Sequence, residues 1–442
     1  MGPLRTPPTG RGIVSGMPTL YEDLSFRGLL SQASAGLRDV LDGPPTAAYH
    51  GIDPTADSLH VGNLYGVCTL KRFQQAGHRP IALAGGGTGL IGDPGGRDEE
   101  RPLLSAEEHA ANMSGIEAQL RRLLGVEESG GQEVLLVDNA DWLVTYRLVD
   151  FLREVGKHFT VNQMVQKESV RARFDRPDVG ISYTEFSYML LQACDFLHLY
   201  DAFGCRVQFG GSDQWGNITA GIDLIRKVRR AEAHGFTWPL LLSSEGRKYG
   251  KSTGNAVWLD AGRTPPFLLY QHFVRVGDDE VGAMLRFLTF LPHEEISALD
   301  RATAEHPERR EAQRALAREV CGFVHGEAEG VRAERASAAL YSEEIASLDE
   351  DLLLAVVSEA PSSVVARSEL EGEGLDLAVL LASTGLSPSR GAARTAVEQG
   401  GAYVNNVRRQ GPDARVTRDD LLHERYVLLR RGRRDYHLLR VE

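Results

Sequence analysis

Cysteine is scarce. There are four in 442 residues, Cys68, Cys194, Cys205 and Cys321, and no two form a Cys-x-x-Cys pair. That spacing argues against a zinc site and for thiols kept reduced in a cytosol. No apolar run approaches the ~18 residues of a membrane-spanning helix. A P-loop is missing as well, because Gly-x-x-x-x-Gly-Lys-[Ser/Thr] occurs nowhere. Its nearest approach, Glu245-Gly-Arg-Lys-Tyr-Gly-Lys-Ser252, has Glu245 where the first glycine is required. Positive charge is in deficit, with 49 Lys and Arg against 61 Asp and Glu, a formal net of −12. Taken alone, that balance argues against nucleic acid as a partner. The deficit is uneven, however. From Asp376 to Arg440 twelve arginines stand against seven acidic residues, a local net of +5. An acidic body with a basic tail suits RNA handling, because phosphate neutralisation is local.

What is present is ordinary for a globular chain of two to three domains: 42% apolar and 25% charged residues. Residues 1–16 are rich in Pro and Gly, with Arg5 and Arg11 and no acid, and are expected to be disordered; Met17 is an equal candidate for the start. Thr19 to Ala33 reads as a helix capped by Thr19, with Leu20, Leu24, Leu29 and Leu30 on its apolar face.

The stretch Tyr49–Asn63 organises the rest. A short apolar run ends at Gly51, turns at Asp53-Pro54-Thr55 and enters an apolar helix near Gly62. Strand, loop, helix start aims backbone N–H groups at whatever lies above the strand. Gly62 leaves room for a flat ring against the backbone. His60 and Asn63, three apart, can both hand a hydrogen to a phosphate oxygen. Downstream, Gly85–Arg97 follows a buried strand and contains Gly87-x-Gly89-x-x-Gly92. A dinucleotide fingerprint would need a helix opening inside that motif, and Asp93-Pro94-Gly95-Gly96 breaks it. Ser105–Leu124 reads as a helix and Glu133–Val137 as a strand leading into Asp138-Asn139-Ala140-Asp141-Trp142. In Thr184–Asp195, Tyr188, Gln192 and Asp195 fall at i, i+4 and i+7, a polar stripe on an apolar helix that needs a polar partner. Cys205–Asn217 is a strand running into a helix. Gly210-Gly211 allow close backbone approach there, and Asp213 is a natural acceptor for ribose hydroxyls. Lys248-Tyr-Gly-Lys-Ser252 is a glycine-flanked loop that offers two lysines to a triphosphate. The alternation of helix and strand points to an α/β fold with a doubly wound, mainly parallel sheet.

Asp-Pro-Thr-Ala-Asp-Ser-Leu-His-Val-Gly-Asn resembles the first ATP signature of class I aminoacyl-tRNA synthetases, and its surroundings resemble the bacterial tyrosyl type. Asn63 stands where that family usually has a second His. Lys248–Ser252 is similar to the second signature, about 190 residues on. The resemblance implies a Rossmann-like catalytic domain over 17–260 and a helical anticodon-side domain over 261–345. A small α+β RNA-binding module over 374–442 would follow, and the acidic, small-residue stretch before it, with a linker over 346–373, reads by composition as a hinge or spacer. It implies tyrosine contacts from Tyr49, Asp93, Tyr188, Gln192, Asp195, Gln208 and Gln214, with Tyr49 and Asp195 meeting the phenol and Asp93, Tyr188 and Gln192 the ammonium. ATP contacts fall to Gly51, Asp53, His60, Gly62, Asn63, Gly211, Asp213, Lys248, Lys251 and Ser252. Contacts to the departing phosphates fall to Thr55, His60, Asn63, Arg97, Arg101, Lys248 and Lys251. RNA contacts fall to Ser389, Arg390, Arg394, Arg408 and Arg409, with Arg430, Arg431, Arg433 and Arg434 flanking them.

The implied activity is tyrosine activation by ATP with Mg²⁺, then transfer to tRNA(Tyr), in the cytoplasm. No tightly bound cofactor is expected. A homodimer is implied, with Tyr183 and Phe186 near its interface. Two rivals stay open: a tryptophan-specific class I ligase, opposed by Tyr49 with Asp195, and a silent RNA-binding relative, supported by Asn63.

Overall fold

The computed structural model describes residues 18–93, 104–126, 134–167, 170–171, 180–240, 256–340, 342–358, 360–432 and 435–442. They fall into two compact units, Met1–Asn255 with Arg286–His293 and Ala256–Leu285 with Glu294–Glu442.

The first unit is built on one sheet of β1 (Gln32–Ala33), β2 (Ala47–Ile52), β3 (Arg79–Ala84), β4 (Leu135–Asp138), β5 (Cys205–Gly211) and β6 (His234–Trp238). Its order is β1-β6-β5-β2-β3-β4, and only the edge strand β1 is antiparallel to its neighbour. Parallel strands are covered on both faces, so β2 and β3 read as apolar runs rather than alternating ones. The helices are α1 (Leu20–Phe26), α2 (Leu37–Leu41), α3 (Leu64–Gln75), α4 (Ala106–Leu124), α5 (Ala140–Leu143), α6 (Leu148–Glu154), α7 (Val161–Val165), α8 (Tyr183–Phe203) and α9 (Trp215–Arg229). On one face Phe73 of α3 stacks on Phe209 and Phe236 at 5.2 and 6.2 Å. On the other, Tyr49, Ile81, Leu83, Phe196, Leu199 and Ile225 form one core. The chain adds β3 and β4 on one side of β2 and then returns to add β5 and β6 on the other. The strand order therefore reverses between β2 and β5, where doubly wound sheets take their ligands, beyond the carboxyl ends of the strands.

The helix expected over Thr19–Ala33 is shorter. Thr19 does cap it, accepting from the Glu22 amide at 3.3 Å. It ends at Phe26 because Gly28 turns at φ 72° and the Leu29 amide closes on the Leu24 carbonyl at 2.9 Å. Leu29 and Leu30 lie past that stop, and Gln32–Ala33 pair with β6 instead.

In the second unit, helices Pro266–Val274, Glu311–His325 and Glu327–Ala339 precede a five-stranded sheet. Its strands are β7 (Ser362–Val365), β9 (Ala402–Val404), β10 (Val407–Arg409), β12 (Tyr426–Arg431) and β13 (Asp435–Val441), in the order β10-β9-β12-β13-β7. A separate ladder pairs β8 (Leu375–Asp376) with β11 (Arg415–Val416). The acidic stretch expected to be a spacer is folded. Ile345, Leu348, Leu353, Val356 and Val357 share a core with Tyr426 and Leu428, and β7 runs parallel to β13. Enough apolar side chains sit among the acids to bury a face, and charge count alone hid them.

Candidate active site

A cavity of about 280 Å³ opens at the carboxyl ends of β2 and β5. The sequence-predicted residues Tyr49, Gly51, Asp53, Thr55, His60, Gly62, Asn63, Asp93, Tyr188, Gln192, Asp195, Gln208, Gly211, Asp213 and Gln214 all line it. Arg97, Arg101, Lys248, Lys251 and Ser252 lie outside the described residues. A larger hollow of about 950 Å³ at the opposite strand ends, beside Gly36, His78 and His234, contains none of the predicted residues.

On one side of the cavity, residues 61–63 form a tight turn that leads into α3. His60 Nδ1 accepts from the Gly62 amide at 3.0 Å, and the Asn63 side-chain oxygen accepts from the His60 amide at 3.0 Å. Each bond fixes a direction. With Nδ1 accepting, the ring proton belongs on Nε2, and Asn63 is left with its NH₂ as the outward group. Both side chains are thus set as donors, which suits phosphate oxygens at a helix start.

The other side is a network of polar side chains from α8 and β5. Tyr188 donates to Asp53 Oδ2 at 2.9 Å, and Thr88 donates to Asp53 Oδ1 at 2.8 Å. Asp53, placed with ATP by resemblance, therefore also braces the amino-acid side. Gln214 Nε2 donates to Asp93 Oδ2 at 2.6 Å, and Gln192 Nε2 donates to Gln214 Oε1 at 3.2 Å. Asn217 donates to Gln192 at 2.9 Å. At the far end Tyr49 and Gln208 are register partners on adjacent strands. The Tyr49 hydroxyl and Gln208 Oε1 are buried without a hydrogen-bond partner among the described residues. Buried polar atoms are normally paired with protein, water or a ligand.

Asp195 sits beside them, 2% exposed. Burial pushes its carboxyl up to about 7, against the opposing pull of bonds from Asn139 and Trp142. Burial, then the nearby Asp195 charge, raises the Tyr49 phenol well above its ordinary value. Tyr188 is raised too, by burial and then by Asp53 and Asp93.

Sequence reasoning missed the residues that hold Asp195. Asn139 Nδ2 donates to its Oδ2 at 2.9 Å and Trp142 Nε1 to its Oδ1 at 2.8 Å. Asn139 also donates to Thr88 Oγ1 at 2.9 Å and accepts from the Gly87 amide at 2.7 Å. The signal was available: Asn139 and Trp142 directly follow a parallel strand, where such sheets place functional side chains. His50 was missed as well. Its Nδ1 lies 3.1 Å from the Phe209 carbonyl, and burial holds its pKa down to about 4, so the ring is neutral.

In the second unit, Ser389 caps the helix Arg390–Glu398 by accepting from the Ala392 amide at 3.2 Å. Arg390 and Arg394 are exposed on its first turns. Other arginines grouped with them have internal work. Arg408 donates to the Gly400 and Gln399 carbonyls at 2.7 and 3.0 Å, closing that helix. Arg409 pairs with Asp420. Arg430 is buried against Tyr403 and bonded to Asn406, and Arg431 donates to the Leu386 carbonyl at 2.8 Å. A run of arginines cannot show which of them fold inward. Arg433 and Arg434 lie outside the described residues.

Comparison with known proteins adds a family. That of "tRNA synthetases class I (W and Y)" matches residues 42–342, and the "Tyrosine--tRNA ligase SYY-like C-terminal domain" matches residues 357–439. A tyrosine–tRNA ligase of Roseiflexus castenholzii is 49% identical over 425 residues, covering 96% of this chain and 100% of its own length. One of Opitutus terrae is 48% identical over 425 residues, covering 96% and 100%. Among solved structures, a C-terminally truncated mitochondrial tyrosyl-tRNA synthetase of Aspergillus nidulans is 33% identical with a TM-score of 0.66. That match covers 74% of this chain and 95% of the solved one.

Proposed function

The chain belongs to the class I tRNA synthetases of the W and Y family, and we propose on that premise that it is a tyrosine–tRNA ligase. It activates L-tyrosine with ATP, releases pyrophosphate, and passes the tyrosyl group to the 3′-terminal adenosine of tRNA(Tyr). The observation that carries the tyrosine assignment is the far end of the cavity. The Tyr49 hydroxyl and Gln208 Oε1, without partners among the described residues, stand there beside the braced Asp195 carboxylate. A phenol can accept from the Tyr49 hydroxyl and donate its one hydrogen to Asp195, whereas an indole offers no hydroxyl to meet them.

The first step needs no general base. The substrate carboxylate is already ionised; its oxygen bonds to the α-phosphorus as the bond to the pyrophosphate oxygen breaks. The protein contributes position and charge. Asp93, Tyr188 and Gln192 would hold the ammonium, and Gly51, Asp53, Gly211, Asp213 and Gln214 the sugar and the amino-acid backbone. Thr55, His60 Nε2 and Asn63 Nδ2 would donate to phosphate oxygens. Arg97, Arg101, Lys248, Lys251 and Ser252 are assigned to the phosphates by their match to the family's motifs alone. The groups on the phosphate side are donors rather than a carboxylate cage. That fits Mg²⁺ carried by phosphate oxygens and water.

Ser389, Arg390 and Arg394 are proposed to meet tRNA phosphates. A symmetric dimer is proposed too. Val144, Leu148, Val149, Val161 and Tyr183 are between 63% and 73% exposed, an apolar patch that a second copy would cover. Four free, buried cysteines suit a reducing cytoplasm, and no helix among the described residues is long and apolar enough to cross a membrane.

The test is ATP–pyrophosphate exchange dependent on tyrosine. Equal exchange with phenylalanine would remove the role given to Asp195, and no exchange with any amino acid would favour a silent RNA-binding relative.

A further inference from the structure

Helix α4 lies outside the cavity and contributes no side chain to its lining. Yet it carries a polar stripe on its inward face, at His109, Asn112 and Gln119, with Gly115 between them. His109 is 9% and Gln119 7% exposed. Polar groups at that depth are costly unless each has a job, and each of these grips a loop. Gln119 Oε1 accepts from the Leu59 amide at 2.8 Å, and its Nε2 donates to Ser58 Oγ at 3.0 Å. Asn112 Nδ2 donates to the Pro54 carbonyl at 3.1 Å. At Gly115 the Asp57 carbonyl comes so close that a Cβ would stand 2.0 Å from it. His109 Nε2 meets the Gly86 carbonyl at 2.7 Å.

Four of the five contacts fall on residues 54–59. That loop presents Thr55 to the cavity and ends at His60, the first donor of the phosphate-side turn. It has no regular structure of its own, so its backbone must be satisfied from outside. By contrast, the groups that hold Asp195 come from Asn139 and Trp142, away from α4. Of the stripe, His109 reaches toward that other half of the cavity, at Gly86, beside the Gly87 amide that donates to Asn139.

We infer that Gln119, with Asn112, is a positioning residue for ATP: the two set Thr55 and His60 against the triphosphate and leave tyrosine binding alone. Gln119 touches no substrate. It acts by fixing the Leu59 amide, one residue before His60. The inference rests on the functional reading above and deepens it.

The experiment is steady-state pyrophosphate exchange on the full-length protein, with ATP and tyrosine varied separately. The variants are Gln119→Met, which keeps the bulk and removes both bonds, and Asn112→Ala. Met113→Ala, a buried neighbour on the same helix, controls for general loosening of α4, and thermal melting of each variant confirms folding. For Gln119→Met the expected result is a rise in the KM for ATP of about tenfold, the scale of a small misplacement of a phosphate contact. The KM for tyrosine should be unchanged, with a smaller effect of the same kind in Asn112→Ala and none in Met113→Ala. Equal rises in both KM values, or the same pattern in Met113→Ala, would reduce α4 to ordinary packing and overturn the inference. An unchanged KM for ATP in folded Gln119→Met would overturn it too. If the unsubstituted protein shows no tyrosine-dependent exchange, it is the functional reading that fails. Exchange in that protein with no ATP effect in the variants sinks the α4 inference alone.

Discussion

Replacing Trp142 by Phe would change the pH range over which tyrosine is read. An aromatic ring is kept where Trp142 stacks at 4.2 Å on His198, and the N–H that donates to Asp195 Oδ1 is lost with the rest of the pyrrole ring. A hydrogen bond to a charged group is worth about 1.5–3 kcal/mol, and one pKa unit is about 1.36 kcal/mol. Losing the bond should therefore raise the Asp195 carboxyl by about one to two units, from about 7. Both carboxylate oxygens already accept an N–H, so a proton occupies a lone pair that the substrate phenol needs. In the unsubstituted protein the KM for tyrosine should rise as pH falls below about 7; in Trp142→Phe the same rise should start one to two units higher.

Stability carries the matching sign. The folded-state pKa lies above the ordinary 3.8, so the native protein binds this proton more tightly than the unfolded chain. The stabilisation is complete below about pH 4 and lost as pH rises through about 7. In the variant, that loss should extend to pH 8–9. The assay is tyrosine-dependent exchange across pH 5.5–9, with melting temperatures on the same buffers. A KM profile that keeps its midpoint in Trp142→Phe would refute the argument.

Tyr49→Phe removes a buried hydroxyl that has no partner among the described residues, so melting should hold steady or improve. The KM for tyrosine should nonetheless rise about two- to tenfold, the range of one neutral hydrogen bond; a fall in stability with unchanged KM would reverse the assignment. Arg390→Ala with Arg394→Ala should weaken tRNA binding, and more so at low salt, lowering the log–log salt slope by about 0.7–0.9 per arginine. Exchange should be untouched, and filter binding over a salt series reads the difference. Tyrosine binding near pH 6.5 should release protons as Asp195 ionises, and calorimetry in buffers of different ionisation enthalpy should show it.

The cavity wall was legible in the sequence because its residues cluster by strand and by helical stripe. Tyr188, Gln192 and Asp195 share one face of a helix, whereas Tyr49 and Gln208, in mid-strand, were singled out only by the family resemblance. Those patterns are local. Asn139 and Trp142 escaped because their role lies in what they touch: a carboxylate more than fifty residues away in sequence. The fold class followed from alternating elements, but the end of α1 did not. A left-handed glycine at position 28 outweighed an apolar pattern that continued through Leu29 and Leu30. The folded stretch 345–357 escaped for the opposite reason. Its acids stood out by composition, while the partners of Ile345 and Leu353 lie at Tyr426 and Leu428, on a distant strand. Arginine counting failed at Arg408 and Arg430 on the same principle: charge is visible in one dimension, and its partner is not.

The charges of the cavity tie its two ends together. Asp53 and Asp138 push the Asp195 carboxyl up, adding to burial, and Asp53 and Asp93 do the same to the Tyr188 phenol. Several carboxylates crowded into one buried region oppose each other's ionisation. A substrate ammonium held by Asp93, as proposed, would introduce the opposite charge, and its field would favour the ionised form of Asp195. Placing the amino group thus readies the acceptor for the phenol, and a protonated Asp195 in turn weakens the hold on the ammonium, since the two are linked through one electrostatic energy. A site built as proposed would reject phenylalanine: the Tyr49 hydroxyl would go unmet, and an ionised Asp195 would stay buried without the hydroxyl that would solvate it.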